Sequence, residues 1–383
     1  MKRTFCAVMI FATLGESSRC ESPGTTAVPI LQVPLAARGA GMGNAFSAVA
    51  NDSSALFYNP AGLARLSLNE VASSFISGAG DTSLQSISYV GPMAWTGISG
   101  NGRSSAATNL LYAQSGSIEV NRLNPDGSLG SSQRVSAGSD LVVSLAYAER
   151  VAITPVDIEG KTYSLDHFIG LTPKYVRSTI LTYSANAFAL DAGYLLYSAD
   201  VAWSFGAAAL NVGQPFRYAQ EKEHLPTTLR GGVAWHGGVP SLHNVLIALD
   251  GDYVINERQW HANTGVEYFW LKTYGARIGY QIHRDDAGLT MGMGLRWKGR
   301  VFFDYAWGLA SALSNTHRMT LTYRFGSVPQ AQRERTRSSS IEPVSENEES
   351  PQLQDPRPES LKPSDSPRRG PRKSSQITPT WIY

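Results

Sequence analysis

Across 383 residues the chain carries 33 Lys and Arg against 31 Asp and Glu, only 17% charged residues, alongside 36 Gly, 17 Tyr and 8 Trp. A formal charge of +2 gives no general pull towards nucleic acid. Mean hydropathy is mildly negative, and beyond the N-terminus no stretch approaches the ~18 uncharged apolar residues of a spanning helix. What remains is a β-protein, either a soluble sandwich or a membrane barrel.

The N-terminus reads as an export leader over residues 1–22. Met1, Lys2 and Arg3 make a positive start, Phe5 to Leu14 an apolar core, and Glu16 to Ser22 a polar exit. The cleavage site is poorly marked, because no small-x-small pattern follows the core. Cys20 would fit a lipid-anchored N-terminus, but Arg19 replaces the small residue that such processing needs. Cys6 and Cys20 are the two cysteines of the chain, so the body gains nothing from disulfides or thiolate-bound metal.

Residues 23–64 form a Gly-rich entry segment that includes PLAARGAGMGNAFSAVANDSSALFYNPAGL, from Pro34 to Leu63. Gly39, Gly41 and Gly43 remove side chains where the backbone must bend or approach other backbone. Asn51 or Asp52 is placed to cap a short helical turn through Ser53 to Tyr58, which Pro60 ends and Gly62 turns away. The G-x-G-x-G spacing, with no preceding strand and no following P-loop lysine, does not make a phosphate loop.

From about Leu66 to Phe325 the apolar period is two. Tyr274, Ala276, Ile278 and Tyr280 alternate with Gly275, Arg277, Gly279 and Gln281; Met291, Met293, Leu295 and Trp297 with Gly292, Gly294, Arg296 and Lys298. Val301, Phe303, Tyr305 and Trp307, and then His317, Met319, Leu321, Tyr323 and Phe325, repeat the pattern. Such strands have one apolar face, and the other must meet water or polar partners. A soluble strand would look the same. Glycine and charge sharing the second face, Trp270, Trp297 and Trp307 near strand ends, and the export leader together favour a membrane barrel over residues 65–326. Turns are expected at Asn124–Gly127, Gly237-Gly238, Arg284–Gly288 and Lys298-Gly299, with longer loops at Gly127–Ser139 and Gly213–His224. Length divided by a spanning strand and its connection gives roughly fourteen strands, with twelve or sixteen also open.

Residues 327–383 hold nine prolines, eleven serines, nine Lys/Arg and eight Asp/Glu. That composition cannot bury enough surface to offset chain entropy, so a disordered polar tail is expected.

The sequence resembles the PorV/PorQ branch of outer-membrane proteins, itself similar to FadL-type transporters of long-chain fatty acids. The resemblance rests on Arg38-Gly39-Ala40-Gly41-Met42-Gly43-Asn44-Ala45-Phe46, Ala48–Asp52 and Tyr58-Asn59-Pro60-Ala61-Gly62-Leu63, with weaker matches at Ala209–Gly213, Leu225–Gly232, Asp304–Ala306 and His317–Met319. It covers residues 35–326. It implies a fourteen-stranded barrel with an inward-folded N-terminal hatch, and a turn at Asn59–Gly62 leading into the first strand. For the FadL branch it implies passage of hydrophobic molecules through a lateral opening. For the PorV branch it implies work with the type IX secretion apparatus on exported proteins. Relatives usually stop near the last strand, whereas this chain continues to Tyr383.

Seven histidines are scattered at 167, 224, 236, 243, 261, 283 and 317, with no G-x-S-x-G elbow and no H-E-x-x-H pattern. No enzyme, cofactor or metal site is expected. His261 near Glu267 and Asp250 near Asp252 are the nearest polar pairings in the sequence. If the apolar faces meet lipid, Asp250, Glu267, Arg277, Arg296, Asp304, Arg318 and Arg324 all point inward and must pair. Arg38 and Asp52 are their natural partners on the hatch, and Leu56 and Phe57 are the candidate contacts for a hydrophobic ligand. Expected partners are outer-membrane lipid, the barrel assembly machinery and either hydrophobic small molecules or exported proteins. The expected location is the outer membrane with both termini periplasmic.

Overall fold

A strand whose alternate side chains are apolar can satisfy its backbone in lipid only inside a closed sheet, since any edge would leave N–H and C=O groups unpaired. The chain solves the problem by closure. The computed structural model describes residues 26–77, 82–125, 128–158, 160–198, 201–218, 221–239, 242–283, 288–309 and 315–327. The strands are β1 (Asn69–Ser77), β2 (Thr82–Pro92), β3 (Ser104–Ser115), β4 (Ser117–Leu123), β5 (Leu129–Ser136), β6 (Gly138–Ile158), β7 (Lys161–Ile180), β8 (Tyr183–Tyr197) and β9 (Trp203–Gly213). They continue as β10 (Phe216–Tyr218), β11 (Glu221–Glu223), β12 (Thr228–Val239), β13 (His243–Val254), β14 (Gln259–Trp270), β15 (Tyr274–Ile282), β16 (Leu289–Trp297), β17 (Val301–Gly308) and β18 (Thr316–Phe325).

Fourteen of these close an antiparallel barrel in the order β1-β18-β17-β16-β15-β14-β13-β12-β9-β8-β7-β6-β3-β2. β4–β5 and β10–β11 are separate two-stranded hairpins. The seam pairs β1 with β18 along its whole length, from Asn69↔Phe325 to Ser77↔His317. Both barrel termini therefore lie at one rim, called the near rim below. The opposite one is the far rim.

The alternation has the expected sense. On β15, Tyr274, Ala276, Ile278, Tyr280 and Ile282 are exposed while Gly275, Arg277, Gly279 and Gln281 are buried. On β18 the exposed set is His317, Met319, Leu321 and Tyr323, and Thr320 and Thr322 are buried. An apolar surface of this extent, running around the whole barrel, is incompatible with water and suited to lipid. Trp260 and Trp270 stand near opposite ends of β14, 48% and 49% exposed. At ~3.3 Å per residue and a barrel tilt of ~40°, that separation corresponds to ~25 Å along the membrane normal. This matches the height of an outer-membrane apolar band between its aromatic girdles. Trp203 and Trp297, also at the near rim, continue that girdle. No helix among the described residues is long and apolar enough to cross a membrane.

Three turn expectations need correction. Gly237-Gly238 is not a turn: β12 continues to Val239, with Gly237 and Gly238 paired to Val245 and Asn244 of β13. The stretches taken as longer loops contain strands: Gly213–His224 holds the β10–β11 hairpin, and Gly127–Ser139 holds β5, which pairs back with β4, and the start of β6. By contrast, Lys298 and Gly299 both adopt positive φ, 51° and 65°, and join β16 to β17 tightly. The export leader with Cys6 and Cys20, the turn residues 126–127 and 284–287, and the tail from 328 onward lie outside the described residues.

The interior is filled by residues 26–68. A 3-10 turn (Pro29–Gln32) is followed by α1 (Ala37–Gly41), α2 (Ala55–Tyr58) and a second 3-10 turn (Pro60–Arg65). α1 packs on β16 and β17, and the second turn packs on β6, β7 and β8, so the segment crosses the lumen. Its buried side chains, among them Met42, Phe46, Leu56, Tyr58 and Leu63, form the core together with wall residues Phe168, Leu195 and Val90.

Candidate functional site at the hatch–wall interface

The segment begins at the far rim. The Ala27 amide donates to the His224 carbonyl at 2.9 Å, and Gln32 Nε2 donates to Glu257 Oε1 at 2.7 Å. Thr26 Oγ1 also donates to Glu257, which lies in the turn between β13 and β14. From there the chain passes through the lumen and leaves at the near rim into β1. We call it the hatch.

Its backbone is seated on glycines of the wall. A Cβ at Gly279 or Gly265 would run into the Met42–Gly43 backbone, one at Gly206 into Ser47, and one at Gly170 into Pro60. Gly43 itself sits at φ +63°, 2.7 Å from Thr264 O and Tyr280 N measured from an added Cβ, so neither conformation nor space admits a side chain. A Cβ at Gly41 would come within 3.1 Å of Gly292 Cα, Gly62 lies on Ala50 and Gly39 lies under the Tyr58 ring. The inward-facing glycines of the strands thus form a groove for main chain.

The polar contacts between the middle of the hatch and the wall include three charged groups. In the first, the Arg38 guanidinium holds Glu267 through two bonds, Nε–Oε2 2.9 Å and Nη2–Oε1 2.7 Å, and reaches Asp52 at 2.8 Å and Asn51 at 2.6 Å through Nη1. Arg277 binds the same Glu267 at 2.6 Å and Asp304 at 2.7 Å. Burial opposes ionisation of Asp52, but Arg38, together with the Ser54 hydrogen bond, outweighs it and holds the carboxyl below its ordinary value. Asp52 also accepts from the Ser54 amide at 3.0 Å, which starts the turn into α2.

In the second group, Asp250 Oδ2 accepts the amides of Phe46 and Ser47 at 3.0 and 2.7 Å. Arg230 lies 3.7 Å from Asp250 and donates to Asn44 O at 2.8 Å. In the third, Glu70 on β1 accepts the Ser53 amide at 2.6 Å and Arg324 Nε at 2.7 Å. Arg318 donates to Pro34 O at 2.9 Å, and Arg296 stacks on Phe269 at 3.6 Å. The residues singled out as inward charges are thus brought together in part. Glu267, Arg277 and Asp304 meet each other, whereas Asp250 and Arg324 serve separate groups. Glu70 and Arg230 were missed because each is an isolated charge in an otherwise neutral stretch. His261 and Glu267, paired in the sequence only by nearness, do not meet: His261 Nδ1 lies 2.8 Å from Asp252, which also accepts from Asn263 at 2.6 Å. His261 and Glu267 share the inward face of β14 but stand six residues apart, ~20 Å at ~3.3 Å per residue, whereas Asp252 and His261 are opposite each other across the β13–β14 pair.

Asn59 and Pro60 turn the hatch towards the first strand. The wholly buried Asn59 side chain donates to Ser47 O and Tyr194 O, both at 2.9 Å, and accepts from the Ala61 amide at 3.2 Å. Asn59→Ala strands two carbonyls and an amide, and is expected to cost about 1–3 kcal/mol. The check is the urea midpoint of the folded barrel in detergent.

Leu56 and Phe57 border a cavity of about 30 Å³, closed on the hatch side also by Leu31 and Val33 and on the wall side by Leu111 and Val142. Lys174, paired with Asp191 at 2.6 Å and Asn211 at 2.9 Å, supplies its polar end. A second cavity of about 20 Å³ shares Leu31 and Phe57 and adds Arg230 and Asp252. Among the described residues no cluster of His, Cys, Asp and Glu is arranged to hold a metal ion.

The model of the uncharacterised protein family UPF0164 matches residues 3–148. No curated protein matches the sequence. Among solved structures, the chain is similar to the Ralstonia pickettii toluene transporter TbuX, at 12% identity over 76% of this chain and 98% of that one, with a TM-score of 0.47. It is similar to the Pseudomonas putida toluene transporter TodX at 11% identity over 75% and 96%, TM-score 0.47. A Pseudomonas aeruginosa FadL homologue is similar at 11% identity over 76% and 98%, TM-score 0.40.

Proposed function

We propose that the chain is an outer-membrane channel for hydrophobic solutes, with the hatch as its gate and both barrel termini on the periplasmic side. The observation that carries this reading is the apolar cavity between Leu56 and Phe57 of the hatch and Leu111 and Val142 of the wall. At about 30 Å³ it has room for little more than a water molecule. Entry of a solute therefore requires Phe57 and Leu31, which border both cavities, to move. The glycine groove supports such a movement, because main chain lying on glycine interlocks less than packed side chains do. The likeness to PorV-type proteins supports a second role, in which the barrel handles exported proteins and passes no solute.

Uptake of toluene and of a long-chain fatty acid by cells that express the full chain separates the two. Channel activity predicts uptake above that of cells lacking the chain. Phe57→Trp, which fills the cavity, should reduce it roughly tenfold, the change a barrier increase of ~1.4 kcal/mol brings. Uptake equal to that of the empty cells for both solutes removes the channel reading.

A further inference from the structure

The near mouth of the lumen carries three guanidiniums that neither the hatch contacts nor the cavity uses. Each comes from a different element: Arg65 from the end of the hatch, Arg103 from the β2–β3 connection and Arg150 from β6. Arg65 stands 3.8 Å above the Tyr197 ring and donates to Val49 O at 3.2 Å. Arg150 is paired with Asp166 at 3.3 Å and donates to Asn101 O at 2.8 Å, while its Nε is buried with no acceptor among the described residues. Arg103 lies beside it, its carbonyl accepting the Arg150 amide at 2.8 Å. Among the described residues the Arg103 guanidinium has neither hydrogen bond nor ion pair. Asp166, partly buried and opposite Tyr197 in the β7–β8 pair, lies within electrostatic reach of all three. Glu149 adds no charge here, because it turns to the β2–β3 connection and accepts the Ile98 amide and the Tyr147 hydroxyl. Burial lowers the pKa of Arg65 and of Arg103, and a neighbouring guanidinium lowers each further.

Elsewhere in the lumen a buried guanidinium is matched: Arg38 and Arg277 each hold two carboxylates. At the near mouth three guanidiniums share Asp166, which leaves an excess of two positive charges in a partly desolvated place. Such an excess is costly unless an anion joins it. Its size points to the class of anion. A carboxylate would neutralise half of it and offers two oxygens. A phosphoryl group bearing two charges neutralises all of it, and its three terminal oxygens can each accept from a separate guanidinium.

We propose that Arg65, Arg103 and Arg150 form a binding site for a dianionic phosphoryl group at the near mouth of the barrel. A group held there bridges the end of the hatch to the β2–β3 connection and β6, and so ties hatch to wall where the hatch leaves the lumen. The site is independent of whether the barrel conducts a solute.

Two sources offer this chemistry, a soluble phosphomonoester and a lipid headgroup. The full chain in maltoside detergent, at about pH 8 where a phosphomonoester is dianionic, is titrated calorimetrically with inorganic phosphate, with glycerol 3-phosphate and, in mixed micelles, with phosphatidic acid. Saturable binding is expected, weakened roughly tenfold or more in Arg103→Gln and less in Arg103→Lys. Binding of the soluble probes supports the site with a free phosphomonoester as its ligand. Binding of phosphatidic acid alone, lost in Arg103→Gln, supports it with a lipid headgroup. Urea midpoints separate a lost site from a lost fold. Without phosphate, Arg103→Gln should unfold at or above the midpoint of the parent, because it removes an unpaired, partly buried charge. Phosphate should raise the midpoint of the parent and leave that of the variant unchanged. Absence of saturable binding for all three probes overturns the proposal. So does phosphate affinity that survives both Arg103→Gln and Arg150→Gln, and so does acetate that binds as tightly as phosphate.

Discussion

Glu267→Ala is expected to be the most destabilising single substitution in the hatch interface, at about 3–5 kcal/mol. The carboxylate is shared by Arg38 and Arg277, at 2.7 and 2.6 Å, and its side chain is 5% exposed. Removal leaves two buried guanidiniums each with one remaining carboxylate, Asp52 and Asp304 respectively. Glu267→Gln keeps acceptors but not charge, and should cost less, about 1–3 kcal/mol. Replacing both Arg38 and Glu267 by Met removes the charge imbalance together with the pair, and should cost less than Glu267→Ala alone. Urea denaturation of the barrel in detergent gives the three values, and trypsin cleavage at Arg38 reports whether the hatch has left its seat. An unfolding free energy for Glu267→Ala within about 0.5 kcal/mol of the parent would show that the network is not fixing the hatch.

How much of this was legible before any coordinates depends on the distance over which a feature is encoded. The two-residue period on β15, β16 and β18 is local, and it identified correctly which side of each strand meets lipid. The fourteen-fold closure followed from length and from the resemblance, not from counting, because β4, β5, β10 and β11 add strands that never enter the wall. Inward charges were visible by parity. Their partners were not, because cross-strand register is set by the sum of all the turns. Glu267 lies opposite Arg277, and Asp252 opposite His261, only once β13, β14 and β15 are aligned. A one-residue slip in any turn would have turned each of these residues to lipid. Glu70 illustrates the opposite limit. It stands second in β1, and nothing in its neighbours shows that it will receive both the Ser53 amide and Arg324.

A hatch that must be fixed enough to seal and free enough to shift explains the division of labour between its contacts. Charged pairs set position: Arg38 to Glu267, Asp250 to the Phe46 and Ser47 amides, Glu70 to the Ser53 amide. Dispersion contacts over the glycine groove supply adhesion with little interlocking. Leu56 and Phe57 border the cavity and make no ionic contact of their own, although Lys174 lines it and Phe57 also borders the cavity beside Arg230 and Asp252. A displacement of that part of the hatch therefore breaks fewer ionic contacts than one at Arg38.

Gly279→Val should separate the seat from the barrel more cleanly than any change in charge. The added side chain would enter the lumen where the Met42–Gly43 backbone lies against β15, its Cβ falling 2.0 to 2.6 Å from the main-chain atoms of Met42 and Gly43. Overpacking of this kind costs typically 1–3 kcal/mol where neighbours can yield. Here the obstruction is hatch main chain, which no rotamer change relieves, so the hatch rather than the wall should give way. The strand itself gains a β-branched residue suited to it, which leaves barrel closure intact. Gly231→Val is the control: it lies on the exposed face of β12, and nothing stands within 4 Å of its Cβ position. Both variants should keep the heat-modifiable gel migration of a folded barrel. Only Gly279→Val should open the Arg38 and Arg65 bonds to trypsin in detergent-solubilised protein. Equal protection of the two variants would mean that the glycine groove is incidental, and that the charged contacts alone hold the hatch in the lumen.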